Sequence, residues 1–233
     1  MISKMNKGKL YVVATPIGNL EDITMRAVET LKKVPFILAE DTRESRKLLD
    51  RYDIPSTLVS YRDQNHSMMM AKILEKLNMG LNLALISDCG TPLISDPGYR
   101  LVAELREQEY EVIPIPGPSA IVAALSVSGL PTDKFCFLGF LPKTSSKKTK
   151  LLEKYLSLGS TLVVYESPNR LFDLLELVKT ISPDVNCFLA RDISKLREKH
   201  YFGSISGVRD QLLEDNLKDS PHGEWVCIFN SAE

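Results

Sequence analysis

The sequence lacks the signatures of the commonest nucleotide-binding and hydrolytic folds. No Gly-x-Gly-x-x-Gly run follows a strand-like segment, and no Gly-x-x-x-x-Gly-Lys-Ser/Thr occurs, so the ordinary dinucleotide fingerprint and the P-loop are both missing. His-Glu-x-x-His and Gly-x-Ser-x-Gly are absent too, which removes the usual zinc-peptidase and α/β-hydrolase arrangements. Histidine chemistry has few candidates, since His66, His200 and His222 are the only three. The four cysteines, Cys89, Cys136, Cys187 and Cys227, are scattered and form no Cys-x-x-Cys pair. Neither a zinc site nor a disulfide framework is expected, and the thiols read as buried residues of a reducing compartment.

Long apolar runs are lacking as well. No segment reaches membrane-spanning length, and the first ten residues hold no apolar core of signal-peptide size, so a cytoplasmic protein with no membrane role is expected. There is no excess of positive charge: 29 Lys and Arg stand against 30 Asp and Glu, for a net charge of -1. A chain that coats nucleic acid through its global field would be far more basic, so any RNA contact must use a local patch. What is present is a globular composition over 233 residues, 44% hydrophobic and 25% charged, enough for one large core or two smaller ones.

Short apolar runs alternate with amphipathic stretches. Leu10–Ala14 reads as a buried strand and runs into the turn residues Thr15-Pro16-Ile17-Gly18-Asn19. Asp22 and Thr24 offer N-caps for a helix over 25–33. Strands follow at 36–39, 57–60, 81–86 and 111–115, with helices at 43–52, 67–78, 97–107 and 119–128 between and after them. This alternation predicts an α/β sheet with substantial parallel pairing, whose ligands sit at the carboxyl ends of the strands. The turns TPIGN, SDCGTP and IPGPS all fall there. A change near residues 117–131 predicts a domain boundary, giving an N-terminal α/β domain over 1–117 and a C-terminal one over 118–233. In the second half, strands are expected at 135–138, 161–165, 186–190, 199–203 and 225–229, and helices at 169–180 and 208–215. The run Lys143 to Lys150, with Lys147 and Lys148, reads as a basic loop.

Several segments carry candidate chemistry, each with a plainer structural alternative. In Ser87-Asp88-Cys89-Gly90-Thr91-Pro92, Gly90 lets the backbone approach a ligand, turn N–H groups suit a carboxylate, and Asp88 suits an ammonium; taken alone, the loop reads first as a structural turn. Pro116-Gly117-Pro118 is a rigid turn before Ser119, a helix cap, and it also suits a hinge. Glu40-Asp41-Thr42-Arg43 lies just past a strand end. Asp41 there is a candidate base and Arg43 a candidate phosphate ligand, or the segment is an ordinary N-cap. Tyr165-Glu166-Ser167-Pro168-Asn169-Arg170 and Ala190-Arg191-Asp192 end strands of the second half.

Taken in order, LYVVATPIGNLEDIT, LAEDTRES, LISDCGTPLISDPGYRLV, IPIPGPSA, GLPTDKFCFLGFLP, VYESPNRL, LARDISK and HGEWV resemble the ribosomal RNA small subunit methyltransferase I family of the tetrapyrrole-methylase superfamily. The resemblance runs from Gly8 to Phe229. It implies a two-domain tetrapyrrole-methylase-like α/β fold, a class III S-adenosylmethionine methyltransferase with the cofactor in the interdomain cleft. It implies further a homodimer, no metal, and transfer to a cytidine 2′-hydroxyl of 16S ribosomal RNA in the 30S subunit. Cofactor contacts would come from Pro16, from Ser87, Asp88, Gly90 and Thr91, from Ser119 and Ala120, and, around the adenine, from Leu141, Tyr165, Ala190, Gly223, Glu224 and Trp225. Cys89 stands where the family usually has alanine, and Ala190–Lys195 departs from the usual glutamate and threonine.

For the chemistry, Asp41 is the first candidate to take the hydroxyl proton, with Glu40 and Glu166 behind it, and Arg43, Lys143 and Arg170 are candidates for RNA phosphates. Proton loss after transfer, with no dedicated base, is the alternative. A tetrapyrrole methyltransferase on the same fold and a non-catalytic RNA-binding assembly module are the rival functions.

Overall fold

A computed structural model describes residues 7–231. The chain divides into two compact units, the first ending at Ser119 and the second beginning at Ala120.

In the first unit, strands β1 (Leu10–Val13), β2 (Phe36–Ala39), β3 (Thr57–Ser60), β4 (Leu83–Ile86) and β5 (Val112–Ile115) form one sheet in the order β3-β2-β4-β1-β5. Every pairing in it is parallel. Side chains of these strands alternate between two buried faces, which is why LALI reads as an unbroken apolar run. Leu83 and Leu85 pack with Leu10, Ile73, Leu77, Leu101 and Leu105 on one face. Ala84 and Ile86 pack with Val13, Ala27, Leu31, Ile37, Leu48 and Leu49 on the other. Four helices supply those partners: α1 (Met25–Lys33), α2 (Thr42–Arg51), α3 (His66–Asn78) and α4 (Tyr99–Glu107). Each fully buried Leu or Ile adds about 1.5–3 kcal/mol, so the two faces dominate the stability of the unit. Thr24 caps α1 by accepting from Ala27 N at 3.1 Å, and Asp41 caps α2 by accepting from Arg43 N at 2.8 Å.

β2 and β4 are neighbours, yet α2 after β2 packs on one face and α4 after β4 on the other. Their carboxyl ends therefore flank a topological switch point, the place where doubly wound sheets open a ligand crevice.

The second unit begins with α5 (Ala120–Val127). It then holds β6 (Phe135–Phe140), α6 (Ser145–Leu156), β7 (Thr161–Glu166), α7 (Leu171–Ile181), β8 (Val185–Arg191), β9 (Lys199–Ser204), α8 (Ile205–Glu214) and β10 (Trp225–Ser231). Its sheet, β6-β7-β10-β8-β9, is mixed. Only β6 and β7 pair in parallel; the other neighbours are antiparallel. One face carries Leu162, Val164, Cys187, Leu189, Cys227 and Phe229 against α6, α7 and α8. The other carries Val163, Phe188, Ala190, Val226 and Ile228 with Ile121, Ala124 and Leu125 of α5.

Two expectations are corrected. The basic run 143–150 is not a loop, since α6 starts at Ser145 and Lys148 is buried on its inner face. The cysteines are not uniformly buried: Cys187 and Cys227 are, Cys136 is half-buried and Cys89 is exposed. Burial pushes the Cys187 thiol up to about 12 and holds Cys227 well above its usual value.

Candidate functional site

The carboxyl edge of the first sheet is built from three turns tied to one another. After β1, Thr15 and Gly90 form an antiparallel bridge, with Thr15 N donating to Gly90 O at 2.8 Å and Gly90 N to Thr15 O at 3.1 Å. The Thr15 hydroxyl adds bonds to the carbonyls of Ser87 (3.2 Å) and Gly90 (3.3 Å), all buried. Ser87 is buried too and donates within its own turn to the Cys89 and Gly90 carbonyls. Thr91 Oγ1 donates to Pro118 O at 3.2 Å, which ties this turn to the one after β5. Gly90 sits at φ +78°, a left-handed geometry that favours glycine, and a Cβ there would lie 3.3 Å from Ile17. At Gly117 a Cβ would come within 3.0 Å of the Ala14 Cβ. The sequence-picked residues Pro16, Ser87, Asp88, Gly90 and Thr91 thus lie on one connected rim, with Ser119 closing the unit.

Acidic groups gather beside it at the switch point. Asp88 Oδ1 accepts from Asp41 N at 3.0 Å, which links the ends of β4 and β2. Glu40 is half-buried, and its carboxyl is raised above the ordinary value by burial first, then by the charge of Asp88; Arg62 opposes the rise, and Asp63 and Asp41 add to it. Asp96, which the sequence reading did not single out, is pushed up to about 6 by burial and then by the Glu40 charge, against a hydrogen bond from Ser87. The loop bearing it holds Leu93 (φ 73°), Ser95 (φ 68°) and Gly98 (φ 125°), three left-handed residues between β4 and α4. Non-glycine residues in that region are strained, and such strain gathers at functional loops. A Cβ on Gly98 would strike Leu85 at 2.8 Å. The only sequence signal for Asp96 was the turn chemistry of Asp96-Pro97-Gly98 within the family-like run.

Arg62 and Asp63 were missed as well. Arg62 Nε donates to Glu40 O at 3.0 Å, and Asp63 accepts from Gly98 N at 3.4 Å. A buried chain holds them from behind. The Tyr61 hydroxyl bonds His66 Nδ1 at 2.9 Å, and His66 Nε2 bonds Glu104 Oε2 at 3.0 Å, which ties the end of β3 to α3 and α4. Burial, helped by the Asp63 charge, lifts the Tyr61 hydroxyl to about 12.

The three proposed bases differ. Asp41 is committed to capping α2, while Arg43 is exposed in that helix's first turn. Glu40 is the group whose proton affinity is raised. Glu166 is corrected as a base: its side chain is fully buried, with Oε1 held by Arg170 at 2.5 Å and by Ser167 N at 2.7 Å. Its Oε2 is buried without a hydrogen-bond partner. A carboxylate sealed this way organises Arg170, whose Nε also donates to Ser167 Oγ at 3.0 Å, and cannot reach a substrate hydroxyl.

The second-unit residues expected near an adenine do not share one surface. Tyr165 and Ala190 both neighbour Val226, on the α5 face. Tyr165 also meets Phe137 edge-on and Phe140 at a tilt, at ring distances of 4.9 and 5.6 Å. Leu141 and Trp225 belong to the opposite, helix-covered face. The Trp225 indole donates to His222 O at 3.0 Å and meets the Tyr201 ring at 5.8 Å. Gly223 (φ +91°) packs so closely on Arg191 and Asp192 that a Cβ would fall 2.7 Å from Arg191 Cγ. Glu224 is exposed and pairs with Lys195 at 2.8 Å. Lys143 is exposed before α6. Among the described residues, no group of three or more His, Cys, Asp and Glu side chains could hold a metal ion.

Comparison with known proteins gives a consistent result. The profile of the Tetrapyrrole (Corrin/Porphyrin) Methylases matches residues 9–208. The chain is similar to the ribosomal RNA small subunit methyltransferase I of Halalkalibacterium halodurans, 46% identical over 96% of this chain and 76% of the relative. It is also similar to the protein of that name from Thermotoga maritima, 41% identical over 97% and 100%. Among solved structures, a cobalt precorrin-4 methyltransferase aligns with a TM-score of 0.67 at 13% identity, covering 94% of both chains. A uroporphyrin-III C-methyltransferase from Thermus thermophilus, complexed with S-adenyl homocysteine, aligns at 0.64 and 19% identity over 96% and 97%.

Proposed function

We propose that this chain, which belongs to the tetrapyrrole methylase family and within it to the ribosomal RNA small subunit methyltransferase I group, methylates 16S ribosomal RNA from S-adenosylmethionine at a cytidine 2′-hydroxyl. The relatives' shared name supports the RNA substrate. The carrying observation for the cofactor is the rim of interlocked turns around the Thr15–Gly90 bridge beside a carboxylate-rich switch point. Negative groups suit a ligand with an ammonium and a sulfonium, and turn N–H groups suit its carboxylate.

The residues present fit that cofactor. Asp88 would meet the amino group, the 87–91 turn the carboxyl group, and Pro16 with the Ser119 turn the nucleoside. Bound there, S-adenosylmethionine supplies an electrophilic methyl carbon. The chain's own task is to align the hydroxyl oxygen and keep water out, which contributes roughly 7–11 kcal/mol in favourable cases. Glu40, which holds a proton more firmly than an ordinary carboxylate, takes the hydroxyl proton at its carboxylate oxygen, for about 10²–10⁴-fold in rate. Arg62, pinned on the Glu40 carbonyl, moderates the charge. Arg43, Lys143 and Arg170 contact phosphates. A homodimer is part of the reading; Val122, Val127, Phe135, Phe140 and Phe202 are exposed apolar residues of the second unit available to it. Sedimentation at micromolar concentration tests this, and a monomer would refute it.

A carboxyl-rich edge is poorly matched to a tetrapyrrole, which bears several carboxylates of its own. The experiment is competition: labelled S-adenosylmethionine offered to unmethylated 30S subunits and to a precorrin. Label in the RNA supports the reading, and label only in the precorrin overturns it.

A further inference from the structure

At the edge of the second sheet where β7 and β8 end and β10 begins, one arginine has no role in the reading above. Glu166 of β7 and Arg191 of β8 stand opposite Trp225 of β10, one on each side, so the three side chains share the helix-covered face. Four buried side-chain polar atoms lack a hydrogen-bond partner among the described residues, and two of them, Glu166 Oε2 and Arg191 Nε, flank Trp225 in this row. Such atoms are few in folded proteins, and two in one row ask for a reason beyond packing.

The chain fixes Arg191 closely. Its side chain is 12% exposed. Its stem lies against Gly223, where a Cβ would fall 2.7 Å from Cγ and 2.9 Å from Cδ. Gly223 (φ 91°), Asp192 (φ 53°) and Ser194 (φ 66°) are all left-handed, the kind of strain that gathers at ligand sites. Asp192 N donates to Glu224 O at 2.9 Å and Glu224 N to Asp192 Oδ1 at 3.1 Å, which locks the two segments together. His222 Nδ1 donates to Ser220 O at 2.7 Å, so its Nε2 is left to accept from Arg191 Nη1 at 3.3 Å.

That last bond lies at the surface while Nε is sealed, so the guanidinium turns its Nη edge outward. Among the described residues, His222 is the one hydrogen-bond partner of a group that carries five N–H donors. The nearby acids are engaged elsewhere. Asp192 Oδ2 stands 4.0 Å from Nε, too far for a hydrogen bond, and Lys195 approaches Asp192 Oδ1 at 3.6 Å. Lys195 also pairs with Glu224, and Lys199 and Tyr201 both hold Asp215. A largely buried guanidinium with one neutral acceptor is a receptor for an anion, and its planar edge matches a phosphate.

We propose that Arg191 receives a backbone phosphate of the RNA strand on its Nη edge, with Gly223 and His222 as its positioning residues; the proposal rests on the ribosomal RNA reading above. Glu166 and Arg191 are two strand spacings apart, about 9–10 Å, and Arg170 is held on Glu166. The two arginines therefore serve separate phosphates, one on each side of Trp225.

The test measures binding of the full chain to unmethylated 30S subunits over a salt series, with calorimetry of S-adenosylmethionine on the same variants. Arg191→Gln should weaken subunit binding roughly tenfold and flatten the slope of log affinity against log salt by about 0.7–0.9. It should raise KM for subunits more than it lowers kcat. Arg170→Gln should add a second step of similar size. Arg191→Lys and His222→Ala keep the charge but loosen the fork, so each should hold the slope and cost about threefold in affinity. A merely structural role would not separate slope from affinity in this way. An unchanged slope in folded Arg191→Gln overturns the proposal; should that variant not fold, unchanged affinity in Arg191→Lys and His222→Ala does so. Weakened S-adenosylmethionine binding with RNA binding intact also overturns it, because the anion would then be the cofactor's carboxylate. If the unsubstituted chain transfers no methyl group to 30S subunits, it is the functional reading that fails; if it does and the variants match it, only this inference fails.

Discussion

The two units treat the acids at one edge of their sheets differently. In the first, the carboxyl edge gathers Glu40, Asp41, Asp63, Asp88 and Asp96 with Arg62 as their near cation, and two of these acids have raised proton affinity. In the second, Glu166 is neutralised by Arg170, and Asp192 lies within ion-pair range of Arg191 and Lys195. The exposed remainder there includes the lysines before and within α6. An unbalanced acidic edge suits a cationic cofactor and a proton acceptor. Ion pairs that consume their acids leave basic groups for a polyanion. A net charge of -1 conceals this division.

The sharpest way to break the comparison is at Glu40. Glu40→Gln should lower the single-turnover rate by about 10²-fold or more, while Asp41→Asn, which keeps a good helix cap, should lower it far less. A larger loss at Asp41 would move the base. Next, Glu166→Ala should destabilise the second unit by about 2–3 kcal/mol, read by chemical denaturation. That is somewhat below the loss for a fully sealed pair, because Arg170 reaches water. The same substitution logic at the first unit's edge predicts the reverse sign, since removing an acid there relieves repulsion.

Gly90→Ala sharpens the cofactor side. A side chain at φ +78° costs about 1–2 kcal/mol, and calorimetry should show S-adenosylmethionine binding weakened by roughly tenfold. The smallest effect is the pH dependence at Asp96. Its carboxyl is raised from 3.8 to about 6, so its contribution to stability is complete below about 4 and is lost as pH climbs through about 6. Asp96→Asn should therefore match the parent's Tm at pH 4 and exceed it at pH 7. Equal Tm values at both would remove the buried-acid account.

Much of this was legible beforehand where one local signal decides the outcome. The strands Phe36–Ala39 and Thr57–Ser60 and the helix Met25–Lys33 follow from apolar runs, caps and turn residues in the sequence. The rim residues Ser87 to Thr91 were legible from turn chemistry and family resemblance together. Asp96 and Arg62 were not, because what makes them notable is proximity across the sheet to Glu40, which no local pattern encodes. Trp225 and Leu141 were expected by an adenine; strand alternation turns the Trp225 side chain to the helix-covered face, opposite Tyr165 and Ala190, and Leu141, one residue past β6, packs on that same face. Lys148 was read as part of a solvated run; its buried position follows from where α6 begins, a boundary that four lysines and four hydroxyl residues in eight positions obscure.

The most direct measurement follows tritium from S-adenosylmethionine into unmethylated 30S subunits, with nuclease mapping of the labelled nucleotide. The account predicts one labelled 2′-O-methylcytidine in 16S RNA, lost in Glu40→Gln. Label on a base, or none in the RNA while the folded chain binds the cofactor, would contradict it.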